Sequence, residues 1–317
     1  MKTLHLIPLL LAVVLAAPIP SAFSATAVKA ETSAQRTFAT PEDAAAALIA
    51  AAHASDRQAI FSIMGAGSSS WLPSGDAAGD REDWIRFVTA YETKHLIVPG
   101  PDGRATLVVG NEEWPFPAPL MRRGDTWFFD AATGREEVIR RRIGRNELDT
   151  MQTLLAIVDA QREYASDDPD GNGFHDYARR FISTPGKRDG LYWPVEEGAR
   201  PSPLGPLIGT AASSIRASYS GNPDHSGPGS YHGYRYRLLE AQGKAAPGGA
   251  YDYRVGDKLI GGFAVVAYPR EYGVSGVMTF MINHDGVLYE KNLGAKTERI
   301  VLEMKLFNPD ASWKKGQ

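Results

Sequence analysis

The sequence predicts an α+β fold in two parts, each with helices followed by an antiparallel sheet. Three observations support this prediction. Apolar residues recur at helical spacing between residues 41 and 91, strand-like runs with turn signals follow over residues 95–130, and a long helix followed by strands returns after residue 146. We expect a small cone-like domain over residues 39–134 and a long helix packed on a sheet over residues 148–308.

The composition is that of an ordinary folded protein. The chain has 317 residues, of which 43% are hydrophobic and 22% charged, with a formal net charge of −3. These values exclude disordered, collagen-like and coiled-coil proteins. The lack of cysteine excludes disulfides, thiolate nucleophiles and cysteine-ligated metals. The weakly acidic balance gives no general attraction to nucleic acid, so we expect no nucleic-acid partner.

Residues 1–27 predict a signal peptide. Lys2 gives a positive start, Leu6–Ala17 is a short apolar run, and small residues allow cleavage after Ser24 or Ala27. No later segment approaches about 18 consecutive apolar residues. We expect a periplasmic or secreted protein with no transmembrane segment after signal removal, and an uncleaved N-terminal anchor is the alternative.

The helices of the first domain are marked by their caps. After a flexible lead-in over residues 28–38, Thr40 can cap a helix over residues 41–54, whose first residue, Pro41, suits the first helical position. A second helix is expected over residues 56–64. Asp80 is expected to cap a third helix.

Strand signals follow the third helix and predict an antiparallel sheet, at residues 96–98, 105–109, 118–121 and 126–130. The order resembles the cone-shaped domains of the nuclear transport factor two type, which implies a pocket between helices and sheet. Trp84, Trp114 and Trp127 are the candidate residues of that pocket, and core packing is the alternative for them.

An arginine-rich segment over residues 135–147 predicts the junction between the domains. It contains glutamates four residues before arginines, in the order that stabilises a helix. The candidate contacts to an anion or a partner are Arg140, Arg141, Arg142 and Arg145. The alternative is a solvated, salt-bridged connecting helix.

A long helix is expected from Asn146 to about Ala165. Its predicted core-facing stripe consists of Leu148, Met151, Leu155 and Val158, and it is widened by Leu154 and Ile157. One or two further helical turns are expected over residues 175–181. Strand signals return over residues 234–239, 263–268, 277–282 and 287–291, before a helical fragment over 297–305 and a tail over 309–317.

The loop after the long helix has the spacing of a calcium-binding loop. Counting Asp168 as position one, oxygen-bearing residues occupy positions three, five and nine, and a main-chain carbonyl is available at position seven. The candidate ligands are Asp168, Asp170, Asn172, Phe174 and Asp176. Position twelve is Arg179 and not glutamate, so we expect a smaller structural Ca²⁺ site than a complete helix–loop–helix hand. The alternative is a turn that ends the helix, because aspartate, asparagine and glycine are ordinary turn residues.

No motif singles out a catalytic residue. The sequence lacks the H-E-x-x-H spacing of metalloproteases, the G-x-S-x-G nucleophile elbow and a phosphate-binding loop. An envelope hydrolase that uses His and Asp from the long loop over residues 184–233 is one alternative function. In that loop Asp224, His225 and His232 cluster, and they could meet His284.

Four stretches carry a family resemblance: Gly110–Pro117, Arg141–Leu148, Asp159–Tyr164 and Gly261–Ala264. They resemble family 2950 of the domains of unknown function, a group of exported bacterial proteins. The resemblance covers nearly all of the mature chain and implies no activity.

The second half is also similar to the globular heads of type IV pilins and type II secretion pseudopilins. Those heads have a helix with the pattern Ala-Gln-x-x-Tyr, here Ala160–Tyr164, then a loop and an antiparallel sheet. Pilins continue this helix upstream into an apolar stalk, which is replaced here by the arginine-rich segment, so pilus assembly is not expected. The heads of major pseudopilins bind calcium, which the resemblance implies here.

Together these observations predict an exported, non-enzymatic binding or scaffolding protein with a structural calcium ion. Its partner would be an envelope protein or a cell-wall component. The alternatives are the hydrolase and a carrier of a small apolar ligand in the first domain.

Overall fold

The structure is a computed structural model that describes residues 35–65, 67–74, 77–196, 198–205 and 230–316. The predicted signal peptide, most of the lead-in, and Asp224 and His225 of the long loop lie outside the described residues. The described residues belong to one compact unit, Ser33–Gln317. Within it, an N-terminal helix–sheet region is followed by a long helix and a second sheet, so the α+β prediction is confirmed.

Three helices open the N-terminal region: α1 (Pro41–His53), α2 (Arg57–Met64) and α3 (Ala77–Thr93). Thr40 caps the first helix as predicted, by accepting the backbone N–H of Asp43. Asp56, predicted as the first residue of the second helix, is its cap and accepts the backbone N–H of Ala59. The predicted cap of the third helix was wrong. Helix α3 begins three residues before Asp80, whose carboxylate instead accepts the backbone N–H of Ser74 at 3.1 and 3.0 Å.

A five-stranded antiparallel sheet follows, made of β1 (His95–Pro99), β2 (Arg104–Val109), β3 (Trp114–Pro115), β4 (Leu120–Arg123) and β5 (Thr126–Phe129). The strand order is β1-β2-β4-β5, and β3 pairs with β2. Phe38 forms an antiparallel bridge with Trp127 beside β5. The N-terminal core lies between the helices and this sheet.

One helix, α4 (Ala131–Asp167), contains the whole predicted junction. It starts 15 residues before the predicted start at Asn146, because Asp130 caps it by accepting the backbone N–H and hydroxyl of Thr133 at 3.1 and 2.6 Å. The alternative of a connecting helix therefore describes residues 135–147. The two regions are joined by a single helix of 37 residues.

The face of α4 that packs on the second sheet matches the predicted stripe in part. Leu154, Ile157 and Val158 are buried as expected, whereas Leu148 and Leu155 are 59% and 48% exposed. The buried face also carries four polar side chains, Asn146, Thr150, Thr153 and Gln161. These polar groups are bonded within the protein, as when Thr153 donates to the carbonyl of Asp149 at 2.8 Å, which permits their burial.

The second sheet is antiparallel with strand order β14-β13-β12-β11-β6. Its strands are β6 (Tyr234–Leu239), β11 (Ala264–Pro269), β12 (Thr279–Asn283), β13 (Leu288–Lys291) and β14 (Lys314–Lys315). Strands β11 and β12 are buried along their whole length, and α4 packs against both. The residues predicted as a tail over 309–317 thus contribute an edge strand.

Short elements complete the second region. Two small ladders pair β7 (Ala241–Gln242) with β8 (Tyr251–Asp252) and β9 (Arg254–Val255) with β10 (Lys258–Leu259). Helix α5 (Thr297–Glu303) packs on β11. Residues 175–181 do not form the predicted helical turns, and Tyr177 instead bridges Leu259. Among the described residues, no helix is long and apolar enough to cross a membrane.

Candidate functional site

The arginines of the predicted junction fasten α4 to the N-terminal region. Arg142 is 7% exposed and donates to the carbonyls of Trp71 and Leu72 at 3.0 and 2.5 Å. Burial lowers the pKa of Arg142. Arg145 forms a bidentate pair with Asp83 at 2.8 and 2.6 Å. The guanidinium groups of Arg142 and Arg145 thus both bind partners within the protein.

Arg141 makes a third contact of this kind. Its guanidinium lies 4.8 Å from the ring centroid of Trp114 and donates to the carbonyl of Pro115 at 2.8 Å. Arg140, the most exposed of the four predicted arginines, pairs with Glu137 of its own helix at 3.0 Å. The four arginines therefore do not converge on one anion site.

The next turn of the same helix holds the second region. Asn146 donates to the carbonyl of Ser275 at 2.9 Å. One carboxylate oxygen of Glu147 accepts the backbone N–H groups of Val277 and Met278, each at 2.9 Å. Residues 142–147 thus bind the N-terminal region on one side and the loop before β12 on the other.

The predicted calcium loop is closed by its own hydrogen bonds. Asp168 accepts the backbone N–H groups of Asn172 and Gly173 at 3.0 and 2.9 Å. Donation from Gly173 lowers the pKa of Asp168. The side-chain amide of Asn172 donates to Asp170 and Asp176 at 2.8 and 2.9 Å.

The orientation of Asn172 is fixed, because its carbonyl oxygen accepts the backbone N–H of Phe174 at 2.8 Å. A hydrogen-bond donor therefore lies between the two carboxylates that would have to face a cation. Across the described residues, no group of three or more His, Asp or Glu side chains is placed to hold a metal ion. The loop in this arrangement fits a turn that ends α4 better than a calcium site.

The three tryptophans predicted to share a pocket are not brought together. Trp114 is exposed beneath Arg141, and Trp127 pairs with Phe38 at the sheet edge. Aromatic side chains fill the space between helices and sheet, where the ring of Phe116 lies 5.1 Å from Phe87 and 5.5 Å from Phe129. Of the three, Trp84 lines a cavity, which lies among the helices and not between helices and sheet.

That cavity is a groove of about 710 Å³ among α1, α2, α3 and the chain before α3. We call it the helical groove. Its apolar lining consists of Ile60, Phe61, Leu72, Trp84, Ile85 and Val88. The volume lies within the range of small-molecule sites, roughly 300–1,000 Å³.

Charged side chains surround the helical groove. His53 lies 3.9 Å from Glu92 at one end, and the carboxylate of Asp80 is bonded to backbone. Arg57 and Arg81 also line the groove. Among the described residues neither arginine forms an ion pair, and the guanidinium of Arg57 lies 5.9 Å from the ring of Phe61.

The histidines proposed for the hydrolase alternative lie far apart where the structure describes them. His232 precedes β6 and lies 3.3 Å from Asp149. His284 follows β12, near Asp285 and Tyr251. These positions are at opposite ends of β11, whose six residues span about 17 Å. His232 and His284 cannot share a catalytic centre in this fold.

Buried polar groups that sequence reasoning missed bind α4 to the rest of the second region. Gln161 is fully buried and exchanges two 2.8 Å hydrogen bonds with the backbone of Ala178. Burial raises the pKa of Tyr234 and of Tyr236. A correct helical register would have placed Gln161 on the buried face of α4, and that position was the only sign in the sequence that this side chain is buried.

Residues of the four stretches that carry the family resemblance make contacts at or near α4. Arg141 joins the first stretch to the second, and Gln161 in the third fixes the loop after α4. In the fourth, Gly262 has φ +143° and packs against His284, whose carbonyl accepts a hydrogen bond from Arg162 at 3.2 Å.

No curated protein and no solved structure matches the chain significantly. A family model described as "Protein of unknown function (DUF2950)" matches residues 35–315. This match covers nearly the whole described chain and includes all four stretches of the resemblance. The chain therefore belongs to the family DUF2950.

Proposed function

We propose that the chain is an exported, non-enzymatic binding protein of the bacterial cell envelope, and that the helical groove is its binding site. The observation that carries this proposal is a cavity of about 710 Å³ with an apolar lining and two arginines outside any ion pair among the described residues. A concave apolar site with a few polar groups is the usual form of a small-molecule site.

This proposal joins two predictions from the sequence. Export is supported by the signal-peptide pattern of residues 1–27. Carriage of a small apolar ligand is supported by the groove, although it lies on the helical side of the N-terminal region and not between helices and sheet.

The test uses the full chain expressed in a bacterium and recovered by fractionation. We expect the processed chain in the periplasmic fraction or the medium. The uncharged probe N-phenyl-1-naphthylamine should bind saturably with a rise in fluorescence. Thr89 is exposed and lines the groove, so Thr89→Trp should block it. Thr126→Trp, in the β4–β5 hairpin, is the matched control.

Equal binding to the wild type and to Thr89→Trp would overturn the groove as the binding site. Recovery of the unprocessed chain from the cytoplasmic fraction would overturn the envelope location. Circular dichroism melting curves show whether each tryptophan variant is folded, so that a loss of binding is not confused with a loss of structure.

The calcium site at residues 168–176 stays a prediction, since spacing favours it and the hydrogen bonds of Asn172 oppose it. The pilin-like reading of the second half also stays a resemblance. Calorimetry of a chelator-treated sample tests the former. Binding heat and a higher melting temperature with CaCl₂, both lost in Asp170→Asn, would support it, and neither effect in the wild type would end it.

A further inference from the structure

We infer that the ligand of the helical groove is an elongated amphipathic anion, with an apolar body and one negatively charged group held by Arg57 or Arg81. This inference rests on the proposed function and adds the chemical class of the ligand. It is argued from the shape of the groove, from its lining and from the charges at its rim.

The shape favours a narrow, extended ligand. The lining residues contributed by α3 run from Ala77 to Glu92, which is about 22 Å along the helix axis. The opposite wall comes from the end of α1, from α2 and from the chain at Leu72 and Pro73. A cavity of about 710 Å³ spread over this length suits a single chain or a flat ring system.

The lining favours an apolar body. Ile60 and Val88 are buried in the floor, and the side chain of Ile85 is 58% exposed at the mouth. An isoleucine exposed to this extent leaves apolar surface in water, which a ligand would cover. Trp84 adds a large flat surface, half-buried in the wall.

The charges favour an anion. Of the two acids among the described lining residues, Asp80 accepts the backbone N–H of Ser74, and Glu92 lies at the far end of α3, 3.9 Å from His53. Arg57 and Arg81 have no carboxylate within ion-pair distance among the described residues. Arginine is well suited to carboxylate, sulfonate and phosphate groups, since its planar donors pair with two oxygens at once.

The test compares two fluorescent probes with the same aromatic body. N-Phenyl-1-naphthylamine is neutral, and 1-anilinonaphthalene-8-sulfonate carries one negative charge. Arg57→Gln and Arg81→Gln are the variants, and Arg86→Gln is the matched control, because Arg86 lies on α3 outside the groove lining and pairs with Asp83.

We expect one of the two groove variants, or the two combined, to weaken the sulfonate at least tenfold while the neutral probe changes less than twofold. Arg86→Gln should change neither. Dodecanoate should displace the neutral probe from the wild type at lower concentration than dodecanol, and this preference should disappear in the double arginine variant.

The outcomes separate the two proposals. If Thr89→Trp abolishes binding of the neutral probe but the arginine variants leave the sulfonate unchanged, the groove binds ligands and the inference of an anion is wrong. If Thr89→Trp affects neither probe, both proposals fall. Melting temperatures of all variants within a few degrees of the wild type confirm that binding is compared among folded proteins.

Discussion

Replacement of Arg142 by methionine should destabilise the protein far more than the same change at neighbouring arginines of α4. Methionine keeps the helix propensity and much of the volume of the arginine stem. It leaves the carbonyls of Trp71 and Leu72 without their donors at 3.0 and 2.5 Å. The perturbation is therefore confined to two charge-assisted hydrogen bonds in a site where Arg142 is 7% exposed.

The magnitude follows from these two bonds. Each hydrogen bond to a charged donor contributes about 1.5–3 kcal/mol, and the cost of burying the guanidinium, which also lowers the pKa of Arg142, offsets part of the sum. We expect a loss of about 3 kcal/mol in the free energy of unfolding. For a protein of this size the melting temperature should fall by roughly 6–12 °C.

Two other substitutions on the same helix serve as controls. Arg145→Met removes a half-exposed pair with Asp83 and should cost about 0.5–1 kcal/mol. Arg140→Met removes a more exposed pair within α4 and should cost less than about 0.5 kcal/mol. The assay is urea unfolding followed by circular dichroism at neutral pH. If Arg142→Met is no more destabilising than Arg140→Met, Arg142 does not fasten α4 to the N-terminal region and the reasoning fails.

Two further predictions follow from single residues. Gly262→Ala should lower the free energy of unfolding by about 2 kcal/mol or more, because φ is +143° and the new methyl group would overlap the ring of His284. The control Gly249→Ala, at φ +80° with open space around it, should lower it by about 1 kcal/mol, and equal losses in thermal melts would refute the overlap. Partial burial raises the pKa of Asp189, but donation by the N–H and hydroxyl of Thr184 at 2.7 and 2.8 Å outweighs it and the pKa is lowered. The stabilisation by Asp189 is then present above the unfolded pKa of about 3.9 and is lost as pH falls through the folded pKa. The difference in unfolding free energy between the wild type and Asp189→Asn should therefore shrink below about pH 4. A difference that stays constant with pH would contradict this prediction.

Local signals predicted most elements of the fold. The strand over residues 234–239 has the bounds expected from its pattern, the first helix begins after its predicted cap Thr40, and the second begins within one residue of its predicted start. These signals act over three to six residues, so the sequence displays them directly. The cap of α3 failed because the partner of Asp80 is the backbone of Ser74, outside the helix.

The register of α4 could not be read in the same way. Hydrophobic periodicity placed Leu148 and Leu155 inward, although the buried face carries Thr150 and Gln161. Gln161 is buried because it bonds to Ala178, a partner 17 residues on in an irregular segment. A polar side chain whose partner is supplied by tertiary structure looks like a surface residue in the sequence.

The helical groove was missed for a related reason. Its wall is assembled from three helices and a loop, and Arg57 and Arg81 have no neighbours in sequence that distinguish them from ordinary surface arginines. The pocket of three tryptophans was predicted because the resemblance to cone-shaped domains implied an open space between helices and sheet. In this chain Phe116 contacts both Phe87 and Phe129 and fills that space.

The four short stretches that carry the family resemblance lie outside the lining of the helical groove, whereas the family model as a whole matches residues 35–315 and so includes the groove. Three of these stretches contact α4 or belong to it, through Arg141 and Gln161. The match therefore covers the architecture and the groove alike, and it does not name a ligand. If the groove is the binding site, exchange of the α1–α3 segment between two members of the family should transfer the probe preference, whereas exchange of α4 should not. Transfer of the preference with α4 instead would place the binding site at the junction, against the argument from the groove.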